Sequence, residues 1–284
     1  MRIDPGTSIG AVTLTVADLE AQASFYENAI GLRTLRRSGH RLELAAPGGE
    51  APLVILVDAP AAPPRPARTT GLFHFALLVP SRGELARSLH RVSAAGWRFS
   101  GASDHLVSEA LYLDDPEGNG IEIYRDRDRD EWSYAGGELR MATLPLDLEG
   151  VLDSAPSGET GAGIAPGTRI GHVHLQVASI RDAEAFWVGA VGFDAVVRGY
   201  PGALFASAGG YHHHLGLNTW AGEGAPAPPP GARGLRAFEI VLPDGASLRD
   251  VLQSLEAAGV EPADDGGRPS VSDPSGNRAV LAVR

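Results

Sequence analysis

Residues 9–38 read IGAVTLTVADLEAQASFYENAIGLRTLRRS, and residues 170–199 read IGHVHLQVASIRDAEAFWVGAVGFDAVVRG. At a fixed offset, Ile9, Gly10, Val12, Leu14, Val16, Phe25 and Gly31 recur as Ile170, Gly171, Val173, Leu175, Val177, Phe186 and Gly192. Self-similarity of this kind marks repeated structural modules. A second pair lies between them. GLFHFALLVP begins at Gly71 and GLRAFEIVLP at Gly234; both run on to an Ala-Ala-Gly step, at Ala94 and Ala257. The turns DPEGN, from Asp115, and DPSGN, from Asp273, close the two copies.

Each module has one grammar. Val12, Leu14 and Val16 alternate with polar residues, which predicts a half-buried strand. The pattern from Leu19 to Ile30 predicts an amphipathic helix stopped by Gly31. Three short strands follow, punctuated by Gly, Pro and Asp turns. The order βαβββ is expected over 8–58, 71–125, 169–220 and 233–284. These ranges give a first pair of modules over 8–125, a connection over 126–168 and a second pair over 169–284. The connection opens on the charge run RDRDRDEW, and EGAPAPPPG (223–231) predicts a second irregular loop. A single module leaves its sheet face bare. The expected class is therefore α+β: two incompletely closed eight-stranded barrels with helices outside, each concave interior a natural ligand site.

Composition narrows the chemistry. The 284 residues carry a net charge of −11, the opposite of a nucleic-acid-binding face. The same charge disfavours anionic membrane surfaces. There is no cysteine, which removes disulfides, thiolate ligands and cysteine nucleophiles. No apolar run reaches a membrane span and no signal-peptide h-region is present, so a cytoplasmic protein is expected.

Seven of the nine histidines fall in four places: His74, His105, His172 with His174, and His212 to His214. His74 and His172 stand at equivalent positions, five residues before the valine that ends the first strand of modules two and three. Modules one and four have Ala11 and Ala237 there. Glu122 lies in the last strand of module two, where module four has Val280. A lone strand histidine is more often a hydrogen-bonded core residue, and Glu122 alone reads as an outward carboxylate. The coincidence of position favours a joint role. Two imidazoles and a carboxylate on one face of an octahedral metal leave three positions open, the facial triad of non-haem Fe(II) oxygen chemistry. Zinc prefers four tetrahedral ligands, or three and a water. A ligand list does not choose the metal.

The fourfold repeat resembles the vicinal oxygen chelate superfamily, which includes glyoxalase I, bleomycin-resistance proteins and type I extradiol dioxygenases. The resemblance covers nearly the whole chain outside 126–168. The segment HLVSEALYLDDPEGNGIEIY, His105 to Tyr124, is similar to the extradiol pattern. HHHLGL (212–217) is similar to that family's H-H-x-x-A-[FL] strand. The resemblance implies extradiol cleavage of catechol or a substituted catechol by O₂, at Fe(II), with Mn(II) the second candidate. The metal ligands would be His74, His172 and Glu122. Modules two and three would then share one barrel, within one chain or between chains. His213 would be the general acid/base, and Tyr112 and His105 would hydrogen-bond substrate oxygen. His214 stands beside His213, and a one-residue register shift exchanges their faces. His214 and Trp220 would contact substrate, and in a metal-free pocket Trp220 and Tyr211 would be walls unless they pack the barrel. His174 shares the strand face of His172.

Two other functions fit the same fold. One is a glyoxalase-like lyase or isomerase with Zn or Ni, disfavoured because the HHH run stands where a further carboxylate is usual. The other is a metal-free drug-sequestering pocket walled by aromatics. The expected partners are a small aromatic diol and O₂, with no nucleic acid or membrane. Exposed strand edges make a homo-oligomer the expectation.

Overall fold

Period-two burial runs along the first strand. Val12, Leu14 and Val16 are fully buried while Thr13 and Thr15 are not. Each such side chain contributes about 1.5–3 kcal/mol by leaving water. The computed structural model describes residues 1–155 and 163–284. Module one comprises β1 (Ser8–Val16), α1 (Leu19–Phe25), β2 (Arg33–Ser38), β3 (Arg41–Ala45) and β4 (Val54–Asp58). Module two comprises β5 (Gly71–Leu78), α2 (Arg82–Ala94), β6 (Gly101–Asp104), β7 (Ser108–Asp114) and β8 (Gly120–Asp126). The connection carries β9 (Tyr134–Ala135), β10 (Glu138–Leu139), β11 (Leu144–Pro145) and α3 (Leu148–Asp153). Part of the expected connection, 156–162, lies outside the described residues.

Module three comprises β12 (Arg169–Gln176), α4 (Ile180–Glu184), β13 (Asp194–Val197), β14 (Ala203–Ser207) and β15 (Leu215–Asn218). Module four comprises β16 (Gly234–Leu242), α5 (Gly245–Ala257), β17 (Ala263–Asp264), β18 (Pro269–Ser272) and β19 (Arg278–Val283). The βαβββ order therefore recurs four times. Within one unit the strands are ordered β11-β6-β7-β8-β5 and β4-β3-β2, and within the other β12-β15-β14-β13 and β17-β18-β19-β16. β11 is an addition from the connection.

Each module helix starts at a side-chain cap. Asp18, Ser81, Ser179 and Asp244 accept the backbone N–H three residues on, satisfying a donor the helix leaves open. The single helix expected over Leu19–Ile30 is instead α1 followed by a π-helical turn, Tyr26–Ile30, ended by Gly31 at φ +83°. Module three repeats this, with α4 followed by a π-helical stretch, Ala185–Ala190. Gly31 is required there: a Cβ would stand 2.6 Å from the Ile164 backbone nitrogen.

The chain forms two compact units. One is Leu14–Ala62 with His74–Ile170, the other Met1–Thr13 with Pro63–Phe73 and Gly171–Arg284. Each is pinned by the same buried device. In the first, Asp115 Oδ1 accepts the Glu117 and Asn119 N–H groups, and Oδ2 accepts Asn119 Nδ2 and the Tyr26 hydroxyl at 3.1 Å. In the second, Asp273 Oδ1 accepts the Ser275 and Asn277 N–H groups, and Oδ2 accepts Asn277 Nδ2 and the Trp187 indole N–H at 3.1 Å. Tyr26 and Trp187 both come from the π-helical turns. No helix among the described residues is long and apolar enough to cross a membrane.

Candidate metal centre

β5 and β8 run parallel, with Ala76 opposite Glu122 and His74 opposite Gly120. His74, Ala76 and Leu78 share one face of β5 by alternation. Ala76 and Leu78 pack with Ala110, Tyr124 and Tyr112, an apolar bed beside His74. β7 and β8 set Tyr112 directly opposite Glu122. His74 Nε2 lies 2.9 Å from Glu122 Oε2, with 6% and 2% of the two residues exposed. The Tyr112 ring stands 5.6 Å from the His74 ring. The Tyr112 hydroxyl is 2.6 Å from His105 Nε2, and His105 Nδ1 is 2.7 Å from the Ala142 carbonyl oxygen.

In the other unit His172 and His174 occupy one face of β12, both buried. The run of three histidines lies in the loop just before β15, where a strand was expected. Its members face different ways. The His213 ring lies 4.0 Å from that of His172, and its Nδ1 is 2.7 Å from His212 Nδ1, so one proton is shared across that contact. His214 turns away: its Nδ1 accepts the Ala208 N–H at 3.1 Å, and its ring packs near Tyr211 and Phe193. A nitrogen that accepts from a backbone N–H carries no proton, so His214 holds its proton at Nε2.

Gly216 sits opposite both His174 on β12 and Phe205 on β14. Its missing Cβ leaves room for the His174 ring, which a side chain would meet at 2.7 Å. From there aromatic rings run outward. His174 contacts Phe73, Trp220 and Phe205, and Phe205 contacts His213. Trp220 and Phe73 are 46% and 39% exposed, so the cluster reaches solvent.

His74 and Glu122 form a buried imidazole–carboxylate pair in one unit, and His172 offers a second imidazole donor in the other. The donors fit a divalent first-row metal: two imidazoles and a carboxylate, all buried. Sequence reasoning missed the Ala142 carbonyl, because any residue supplies one. It also missed Phe73 and Phe205, whose aromaticity is indistinguishable from core packing. His212 was visible in the histidine run, but its contact with His213 was not.

The chain matches the model of the Glyoxalase/Bleomycin resistance protein/Dioxygenase superfamily over residues 8–123 and 169–281. It is 44% identical over 261 residues to the catechol-2,3-dioxygenase of Bacillus subtilis (strain 168), covering 90% of each protein. Glyoxalase I from Zea mays is similar in structure, with a TM-score of 0.58 and 17% identity over 97% of this chain and 92% of that one. The cppA protein of Streptococcus pneumoniae TIGR4 is similar at a TM-score of 0.56 and 13% identity, over 98% of this chain and all of that one. The two structural likenesses establish shared fold; the family model and the 44% relative establish descent, and the chain belongs to the glyoxalase, bleomycin resistance protein and dioxygenase superfamily.

Proposed function

We propose that this protein is an extradiol dioxygenase that opens the ring of catechol or a substituted catechol with O₂. The observation that carries the reading is the buried His74–Glu122 pair, Nε2 to Oε2 2.9 Å, in a chain 44% identical to a catechol-2,3-dioxygenase. His74, Glu122 and His172 would hold Fe(II), with Mn(II) the alternative. Bound iron supplies the redox centre through which a closed-shell diol and O₂ exchange electrons, and it brings the two together.

The remaining work falls to side chains. His213 is the proton carrier: it is buried, stands against His172 and is an imidazole, suited to giving and taking a proton near neutral pH. Its Nδ1 is tied to His212, which leaves Nε2 for the substrate. Tyr112 hydrogen-bonds a substrate oxygen, and His105 holds Tyr112. Trp220, with Phe73, forms the aromatic wall that contacts the ring or its substituents. His214 supports the loop that presents His213. The expected product is a muconic semialdehyde-type acid.

The test is O₂ uptake on adding catechol to protein loaded anaerobically with Fe(II), beside a His74→Ala control. Uptake with a yellow ring-fission product, absent in the control, is the expected result. No uptake from protein with iron demonstrably bound, on catechol and on alkyl- and aryl-substituted catechols, overturns the reading.

A further inference from the structure

We propose that the connection after module two is a working part of the site: the Ala142 carbonyl fixes the tautomer of His105, and His105 thereby makes Tyr112 a hydrogen-bond acceptor toward the substrate. The inference rests on the dioxygenase reading for the word substrate, and on geometry alone for the rest. β11 pairs antiparallel with β6, Leu144 opposite Asp104 and Pro145 opposite Ser103, which draws Ala142 alongside His105. There His105 Nδ1 stands 2.7 Å from the Ala142 oxygen. A carbonyl oxygen only accepts, so Nδ1 carries the proton. In the neutral ring Nε2 then presents a lone pair, and the only proton for its 2.6 Å contact is the Tyr112 phenolic one. With its proton committed to His105, the Tyr112 oxygen accepts. It faces the same side of the sheet as Glu122, directly across from it. Such a group recognises a phenol that still has its O–H.

The turn that aims His105 is strained, as a turn with a task is. Leu106 adopts φ +70°, a left-handed conformation that branched and bulky residues avoid. It is held there from three sides. The Leu106 N–H donates to Asp104 Oδ1, Arg127 Nη2 donates to Asp104 Oδ2, and the His105 N–H donates to the Ser108 carbonyl. His105 is thus a positioning residue that acts through Tyr112.

The first test needs no metal or substrate. In metal-free protein labelled with ¹⁵N-histidine, long-range ¹H–¹⁵N correlations report which ring nitrogen bears the proton, and His105→Gln assigns the signal. The expected result is a protonated Nδ1 and a bare Nε2 for His105, with the Nε2 signal alone moving in Tyr112→Phe. A protonated Nε2, or a signal averaged between tautomers, overturns the proposal whatever the activity proves to be. The second test uses iron-loaded enzyme. Tyr112→Phe and His105→Gln should each raise the catechol KM by about 5–10-fold, the size of one hydrogen bond. Because His105 acts through Tyr112, the double variant should be no worse than Tyr112→Phe. Multiplicative losses overturn the proposal. Absence of turnover in the unaltered enzyme instead counts against the dioxygenase reading and leaves the tautomer result standing.

Discussion

His74 Nε2 and Glu122 Oε2 lie 2.9 Å apart with almost no access to water. A buried carboxylate is tolerated when a partner compensates its charge. A divalent cation held by both groups would do so more fully. His74→Ala and Glu122→Gln should each weaken Fe(II) binding by more than about 100-fold, beyond the loss usual for an outer partner of a ligand. Metal content after equilibration with a graded chelator measures this. Retention of iron by both variants would remove these residues from the ligand set.

His213, beside His172, is the proposed proton carrier and not a proposed ligand. Its ring lies against that of His172, and its Nδ1 is engaged by His212. His213→Ala should leave iron per chain unchanged and lower kcat by about 10²–10⁴-fold, the range for a lost general acid/base. Single-turnover O₂ consumption together with metal analysis separates the two effects. Iron lost in proportion to activity would make His213 a ligand.

Away from the site, Glu109 is the hub of the ion pairs in its unit. It is 2% exposed and accepts from Arg82 at 2.9 Å, Arg125 at 2.8 Å and Arg127 at 3.3 Å. Arg82 also donates to the Gly150 carbonyl, so the hub ties α3 to module two. Burial alone would raise the Glu109 carboxyl. The hydrogen bonds from Arg82 and Arg125 outweigh it and hold the carboxyl below its ordinary value of 4.5. Glu109→Gln should cost roughly 3 kcal/mol at neutral pH, the low end for breaking a buried pair because the arginines keep some access to water. Between the lowered folded value and the ordinary unfolded one, the unfolded chain binds more protons, so stability rises with pH there. The gap between wild type and variant should therefore be complete above about pH 4.5 and close as the pH falls below it. Urea titrations across acid pH measure it. A gap independent of pH would mean that lost packing, not charge, sets the cost.

The repeat made most of this architecture legible. A period-two run and a Gly stop signal local structure, and their recurrence at one offset signals four modules. The proposed ligands His74 and His172 were legible for the same reason: they occupy equivalent positions in equivalent strands. What escaped was whatever rests on backbone or on an extra residue of helical turn. The π-helical turn at Tyr26–Ile30 has the same apolar spacing as an α-helix. Its purpose shows only where the Tyr26 hydroxyl reaches Asp115. Likewise nothing in RMATLP (140–145) announces that the Ala142 carbonyl meets His105. The histidine run was conspicuous, yet the different partners of His213, against His172, and His214, on the Ala208 N–H, depend on a turn that alternation does not describe.

Gly216 and His174 offer a test of how tightly the aromatic wall is fitted. A Cβ on Gly216 would stand 2.7 Å from His174 Cγ and Cδ2 and 2.9 Å from Nδ1. These are atoms near the base of the ring, which a small rotation does not clear. Gly216→Ala should therefore force His174 outward and cost about 1–3 kcal/mol, as overpacking does. The strain is pairwise, so adding His174→Ala should recover much of it. The double variant should be more stable than the sum of the single losses by about 1 kcal/mol or more. Because His174 contacts Trp220 and Phe73, the displaced ring should also shift Trp220 emission, read against a Trp220→Phe control. Additive stability losses, with emission unchanged, would show that β15 yields instead of His174 and that the wall is loosely packed.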